Sequence, residues 1–242
     1  MARIEYVFLD NGGVLTDNRR RAPQYRRLVA EYFAPRYGGT PASWEEANMN
    51  TFLPAWERFL DRVANWQDGR DLAQAEWLYN ADWLRFLFAA AGVNAPEDED
   101  ECARIGKAAE RWINPQIVTL FPGVEEAVGA LALRYRVFTA SDGFSGPLSE
   151  TLAPIASAFE RLYGPDIVNV PKSSGRLYYD AVFAHAGVDP SRALVLDDNL
   201  TNIRAARETG ARTVYVTPQP DPVYDVPSII RLAELPAIIE TL

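Results

Sequence analysis

Histidine and cysteine are almost missing from this 242-residue chain, which has one of each, His185 and Cys102. One cysteine cannot form an intramolecular disulfide, and it fits a reducing compartment. Cys102 also sits beside the acidic run Glu97 to Glu101, which would raise a thiol's pKa and argues against a nucleophile. One histidine, on an expected helix remote from any motif, argues against a nucleophile-histidine-acid triad. Cations are in deficit as well: 24 Lys and Arg against 33 Asp and Glu leave a net charge of -9. That balance argues against nucleic acid as the main partner, although a phosphorylated small molecule can bind wherever a cation is placed locally. No apolar run approaches membrane-spanning length, and the start Met1–Tyr6 has no basic segment followed by a long apolar core. The expectation is a cytoplasmic protein with no membrane partner. Internal repeats and low-complexity tracts are also missing, and composition says nothing of oligomeric state.

With 48% apolar and 24% charged residues, the chain is an ordinary globular one, long enough for one large domain or two unequal ones. It is organised around Arg3 to Asp17, where the apolar run Tyr6-Val7-Phe8-Leu9 stops at Asp10 and is followed closely by Gly12-Gly13. Such a run, closed by turn formers, reads as a buried parallel strand. Asp10 then stands at the strand's carboxyl end, the edge where open α/β sheets bind ligands. The glycines let the backbone curl close to whatever occupies the crevice. A carboxylate so placed can serve as a nucleophile, a metal ligand or both; an ordinary turn cap accounts for it equally well on this stretch alone.

From about Arg19 to Pro115 the periodicity is helical. Phe52, Trp56, Phe59, Leu60 and Val63 recur at three- and four-residue steps, and Leu72, Ala75, Tyr79, Trp83 and Leu87 do so after Asp71. Ser43 with Glu46 suggests a capping box. All six tryptophans, Trp44, Trp56, Trp66, Trp77, Trp83 and Trp112, lie in this region and read mainly as packing residues. Gly92 to Glu101 reads as an exposed connection. The triplet Arg19-Arg20-Arg21 reads as a solvated charge cluster rather than an anion attractor.

After Pro115, strand and helix alternate. Strands are expected at Tyr135–Ala140, Ile167–Val170, Ala193–Leu196 and Thr213–Val216. Helices are expected from Phe121, through Leu148 to Phe159, over Tyr178–Ala186, and around Ile203 and Ala206. Thr217 to Pro222 reads as a loop, and Ile229 to Leu242 as the tail. Alternation of this kind implies a parallel sheet. Asp10, Ser141, the pair Asp197-Asp198 and, beyond a fourth strand-like run, Lys172 then fall on one rim of that sheet. Clustered carboxylates repel unless a divalent cation sits among them, and hard oxygen ligands suit Mg²⁺. Ser141 and the amides of Asp142 and Gly143 can donate to phosphate oxygens, with Lys172 as the local positive charge.

Asp10-Asn11-Gly12-Gly13-Val14-Leu15-Thr16-Asp17, the strand ending at Ser141-Asp142-Gly143, Lys172 before a helix, and Leu194-Val195-Leu196-Asp197-Asp198 resemble the four ordered motifs of the haloacid dehalogenase-like hydrolase superfamily. The resemblance spans essentially the whole chain. It implies an α/β fold with a Rossmann-like three-layer core and parallel sheet, residues 1–17 and 118–242, into which an all-helical cap, 18–117, is inserted. It implies a Mg²⁺-dependent phosphatase acting on a small phosphorylated metabolite, with Asp10 as nucleophile forming an aspartyl-phosphate. Mg²⁺ would be held by Asp10, the Gly12 carbonyl and Asp197, with Asp198 close by or acting through water, while Ser141 and Lys172 bind the transferring group.

One departure bears on activity. Phosphatases of this family usually carry a second aspartate two residues after the nucleophile as general acid and base; here that position is Gly12, and Asp17, Asp142 and a cap residue are the candidate substitutes. Losing a positioned acid/base costs roughly 10²- to 10⁴-fold. Two alternatives follow: a metal-independent haloacid dehalogenase, whose halide leaves unprotonated, and a binding or regulatory protein that has lost turnover. Thr139 is the other hydroxyl near the second motif, and Arg176 the other cation near the third.

Overall fold

The computed structural model describes residues 2–64, 71–219 and 226–239; Trp66 and residues 220–222 of the expected loop lie outside the described residues. In chain order the elements are β1 (Tyr6–Leu9), α1 (Asn18–Tyr37), α2 (Pro41–Ala64), α3 (Leu72–Ala91), α4 (Glu99–Ile113), α5 (Val124–Ala132), β2 (Arg136–Thr139), α6 (Ser145–Thr151), α7 (Pro165–Val168), α8 (Arg176–Ala186), β3 (Ala193–Asp197), α9 (Leu200–Glu208), β4 (Arg212–Val216), β5 (Ser228–Ile229) and α10 (Leu235–Ile238). They form two compact units, residues 1–18 with 119–242, and residues 19–118. Among the described residues no helix is long and apolar enough to cross a membrane.

In the first unit the five strands run parallel in the order β2-β1-β3-β4-β5. Side chains alternate between two cores. Val7 and Leu9 join Val137, Leu194, Leu196 and Val214 against Val124, Val128 and Leu131 of α5. Tyr6 and Phe8 join Phe138 and Val195 against Tyr178, Tyr179 and Phe183 of α8 and Ala206 of α9. A sheet covered on both faces needs apolar residues at every position, which is why β1 reads as an unbroken run. Phe8 stacks on Phe138 at 4.8 Å and meets Phe183 edge-on at 5.0 Å, filling one of the two interfaces. The fold is the three-layer α/β arrangement with a parallel sheet.

Register positions the site. Leu9 pairs with Thr139 on one side and with Leu196 on the other, so Asp10, Ala140 and Asp197 come next along a single edge. β1 lies between β2 and β3, and the chain passes to opposite sides of it, which opens a crevice at this edge.

Several local expectations are corrected. Ile167–Val170 is not a strand: Pro165 opens the short α7, and Asn169 closes it in the left-handed region at φ 53°. The helix expected from Leu148 to Phe159 is α6, which ends at Thr151 and gives way to turns. The exposed connection ends at Asp98, and the last three acids of the run are helical. Asp98 caps α4 by accepting from the Asp100 amide, and Glu99, Asp100 and Glu101 fill the first turn, where negative charge suits the helix dipole. Helix α2 begins at Pro41, and the reciprocal cap is made by Thr40 and Ser43, each hydroxyl accepting from the other's amide. β5 was not foreseen.

In the helical unit Phe33 stacks on Trp44 at 5.1 Å and packs edge-on against Phe88, and the indoles of Trp44 and Trp83 donate to Gly38 O and Asn48 Oδ1. Helix α2 buries Ala47, Thr51, Ala55, Phe59 and Val63, while Phe52 and Leu60 are exposed. With Trp44 and Asn48 also buried, the inner face runs through 44, 47, 48, 51, 55, 59 and 63, and Phe52 and Leu60 of the expected face lie off it. Helices α3 and α4 approach closely at Gly106, where an added Cβ would lie 2.8 Å from the backbone oxygen of Asn80. In an open helix interior Gly→Ala stabilises by about 1 kcal/mol. Here Gly106→Ala is expected to destabilise by about 1–3 kcal/mol through overpacking, read by urea unfolding; a gain in stability would contradict this packing.

Candidate metal and phosphoryl site

The site starts from a lysine with nowhere to go but inward. Lys172 follows Pro171 in a 3-10 turn and is 1% exposed. Its Nζ lies 2.8 Å from Asp10 Oδ1, 2.7 Å from Asp197 Oδ2 and 2.7 Å from the carbonyl oxygen of Ala140. An ammonium has three protons to donate, and three acceptors take them. One side chain thereby ties together the ends of β1, β2 and β3.

Asp197 is fully engaged by donors. Its Oδ1 accepts from the Asn199 amide at 2.8 Å and from Asn202 Nδ2 at 3.1 Å; its Oδ2 accepts from Asn202 at 3.1 Å and from Tyr179 OH at 3.4 Å. Asp198, in contrast, is exposed and leans over Gly13. A Cβ at Gly13 would fall 1.9 Å from Asp198 Oδ2, and Gly13 has φ 77°, so both space and backbone conformation demand glycine there. Oxygens of Asp10, Asp197 and Asp198 all lie within 4.8 Å of one another.

Electrostatics follow from this crowding. Burial pushes the Asp10 carboxyl up to about 7, with Lys172 opposing the shift and Asp197 adding to it. Burial works against charge on Lys172, but Asp10, Tyr179 and Asp197 outweigh it and hold the ammonium well above its usual range. Partial desolvation, then the charge of Asp197, raises Asp198. The donor set, carboxylates crowded beyond what one lysine compensates, fits a hard divalent cation such as Mg²⁺. Asp10, Asp197 and Asp198 each offer an oxygen to such an ion, and Asp197 also faces Lys172.

Ser141 is buried two residues past β2. Its amide donates to Tyr163 O at 3.2 Å, its carbonyl accepts from Tyr178 OH at 3.1 Å, and its Oγ accepts from the Gly143 amide at 3.1 Å. The Gly143 amide is therefore not free for a phosphate, as the sequence suggested; it serves Ser141 instead and leaves the serine hydroxyl hydrogen to donate outward. Asp142 is exposed, and its charge acts on both Asp10 and Lys172. Gly12 stands in the turn that Gly13 closes by donating to Thr16 O. Thr139 Oγ1 is spent on Tyr163 O, and Arg176 pairs with Asp180 on the surface, so neither alternative joins the cluster. His185 is exposed against Tyr163 OH, and Cys102 is buried in the helical unit's core. Tyr179, Asn199 and Asn202 were missed; Asn202, five residues past Asp197 on a helix capped by Asn199, was the one with a local signal.

The family model for haloacid dehalogenase-like hydrolases matches residues 4–210. The chain belongs to that family. Solved structures of similar fold include a defluorinating L-2-haloacid dehalogenase (16% identity, TM-score 0.67, covering 98% of this chain and 95% of that one). Bacillus subtilis YfnB bound to magnesium, assigned to the same hydrolase family, aligns at 17% identity and TM-score 0.62 over 98% and 99% of the two chains. A phosphatase of the family from Thermococcus onnurineus aligns at 17% identity and TM-score 0.56, over 98% of each. At these identities the haloacid dehalogenase-like fold is what is shared. No curated protein matches the sequence significantly.

Removal of the central cation has a signed consequence. Asp10 holds its proton to higher pH when folded than the ordinary carboxylate value of 3.8. The stability this gives is full below that value and is lost as pH rises through about 7. Lys172→Ala leaves Asp10 and Asp197 uncompensated. It is expected to cost roughly 3–5 kcal/mol at pH 8, and clearly less at pH 5, where Asp10 is protonated. Urea unfolding at the two pH values checks this; equal losses at both would contradict it.

Proposed function

We propose that this hydrolase is a Mg²⁺-dependent phosphatase acting on a small phosphorylated metabolite. The observation that carries the reading is the convergence of the Asp10, Asp197 and Asp198 oxygens within 4.8 Å beside a buried lysine. Asp10 and Asp198 would hold the ion with the Gly12 carbonyl, and Asp197 would orient Lys172, a reversal of the roles the sequence suggested for the two adjacent aspartates. When bound, the ion offsets the charge of an incoming phosphate and stabilises the negative charge that builds on its oxygens. Asp10 attacks phosphorus and the ester oxygen departs, leaving an aspartyl-phosphate that water hydrolyses. Lys172 and the Ser141 hydroxyl bind the transferring group, with the amide of Asp142 beside them. In the same proposal residues 1–17 and 118–242 are the catalytic part, and 18–117 the cap that selects the substrate.

Gly12 gives the leaving oxygen no proton, so turnover is slow for alkyl esters and faster for esters whose leaving group is stable as an anion. The same residue favours a second reading, cleavage of a carbon–halogen bond: Asp10 displaces a halide that needs no proton. Against it, Asp198 adds negative charge where a carboxylate substrate would bind.

The test is direct. With Mg²⁺, purified protein is expected to hydrolyse p-nitrophenyl phosphate, and Asp10→Asn to lower kcat by at least about 10³-fold. Absence of phosphate release, together with halide release from 2-chloropropionate that persists in chelator, would overturn the phosphatase in favour of the dehalogenase.

A further inference from the structure

A second carboxylate, which the chemistry above does not use, holds Ser145, four residues past Ser141. Asp166, in the first turn of α7, accepts from the Ser145 amide through Oδ1 at 2.9 Å and from the Ser145 hydroxyl through Oδ2. Three residues earlier, Tyr163 O accepts from the Ser141 amide at 3.2 Å and from Thr139 Oγ1 at 3.1 Å. Between the two anchors lies Gly164. A Cβ there would come within 2.2 Å of Gly143 O, 2.8 Å of Asp166 Oδ1 and 2.9 Å of the Ser145 amide. Its φ of -118° is open to any residue, so lack of space is what requires glycine.

The segment from Thr139 to Ser145 is thus fastened to residues 163–166 at both ends. Helix α6 has no side-chain cap from its own Phe144, and Asp166 supplies one from another element. Both of its oxygens are consumed in doing so. The turn it fastens is the one that aims the Ser141 hydroxyl, whose Oγ is oriented in turn by the Gly143 amide. We propose that Asp166 and Gly164 are positioning residues that set Ser141 for the anionic group of the substrate, an inference that rests on the phosphatase reading.

The experiment compares wild type, Asp166→Ala, Asp166→Asn and Gly164→Ala in Mg²⁺, with inorganic phosphate as competitive inhibitor and p-nitrophenyl phosphate as substrate. Asp166→Ala and Gly164→Ala are expected to raise the Ki for phosphate about tenfold, the scale of one hydrogen bond to a charged group. They should also lower kcat/KM by about 10- to 100-fold. Asp166→Asn keeps a carbonyl for the Ser145 amide and turns its own amide to the hydroxyl, so it should stay within about threefold of wild type. Unchanged Ki in Asp166→Ala, or equal losses in the Ala and Asn variants with a lowered melting temperature, would overturn the positioning role. Should wild type bind no phosphate, the phosphatase reading fails on its own. The fastening is then read by amide hydrogen exchange across residues 141–148, expected to quicken in Asp166→Ala, and unchanged exchange there overturns it.

Discussion

A lysine ammonium without access to water, shared between two carboxylates, is the interaction on which this site depends. Burying one charge costs several kcal/mol, and partners at 2.7–2.8 Å repay it only with well-formed hydrogen bonds. Lys172 has three, and Asp197 accepts from Asn199, Asn202 and Tyr179 besides. Asp10, Asp197 and Lys172 together sum to one negative charge, and Asp198 makes it two. That remainder is what one divalent cation neutralises. Burial first, and the charge of Asp197 after it, hold the Asp10 carboxyl up to about 7 in spite of Lys172.

The fold's contribution is to make this juxtaposition unavoidable. Parallel strands deliver their carboxyl ends to one edge, and the order β2-β1-β3 puts Ser141, Asp10 and Asp197 at the ends of neighbouring strands although they are far apart in sequence. Gly13 then lets Asp198 lie over the turn after β1. In a chain with a net charge of -9, this edge sets one buried lysine among its acids.

The core was legible because sheet burial on both faces leaves a plain signature: Tyr6–Leu9 and Ala193–Leu196 are apolar at every position. Glycine after Asp10, acids after Leu196 and the helical stretch between the first and second motifs were legible for similar local reasons. Ile167–Val170 misled because β-branched residues favour strands only where a sheet neighbour is available, and Pro165 directs this segment into a turn of helix instead. The division of labour between Asp197 and Asp198 was hidden, since it is set by Tyr179 and Asn202, whose side chains reach back from other elements. Asp166 gave no signal at all: its partner Ser145 is 21 residues away, at the start of another short helix.

The absence of an acid at Gly12 leaves the phosphoryl and carbon–halogen readings sharing one nucleophile and differing in one ingredient, the cation. Titration calorimetry with MgCl₂ at pH 7 in two buffers of different ionisation enthalpy addresses that ingredient directly. The account predicts one ion per chain, proton release on binding as Asp10 gives up its proton, and loss of binding in Asp198→Asn. Absence of Mg²⁺ binding by the wild-type protein, or affinity unchanged in Asp198→Asn, would contradict it.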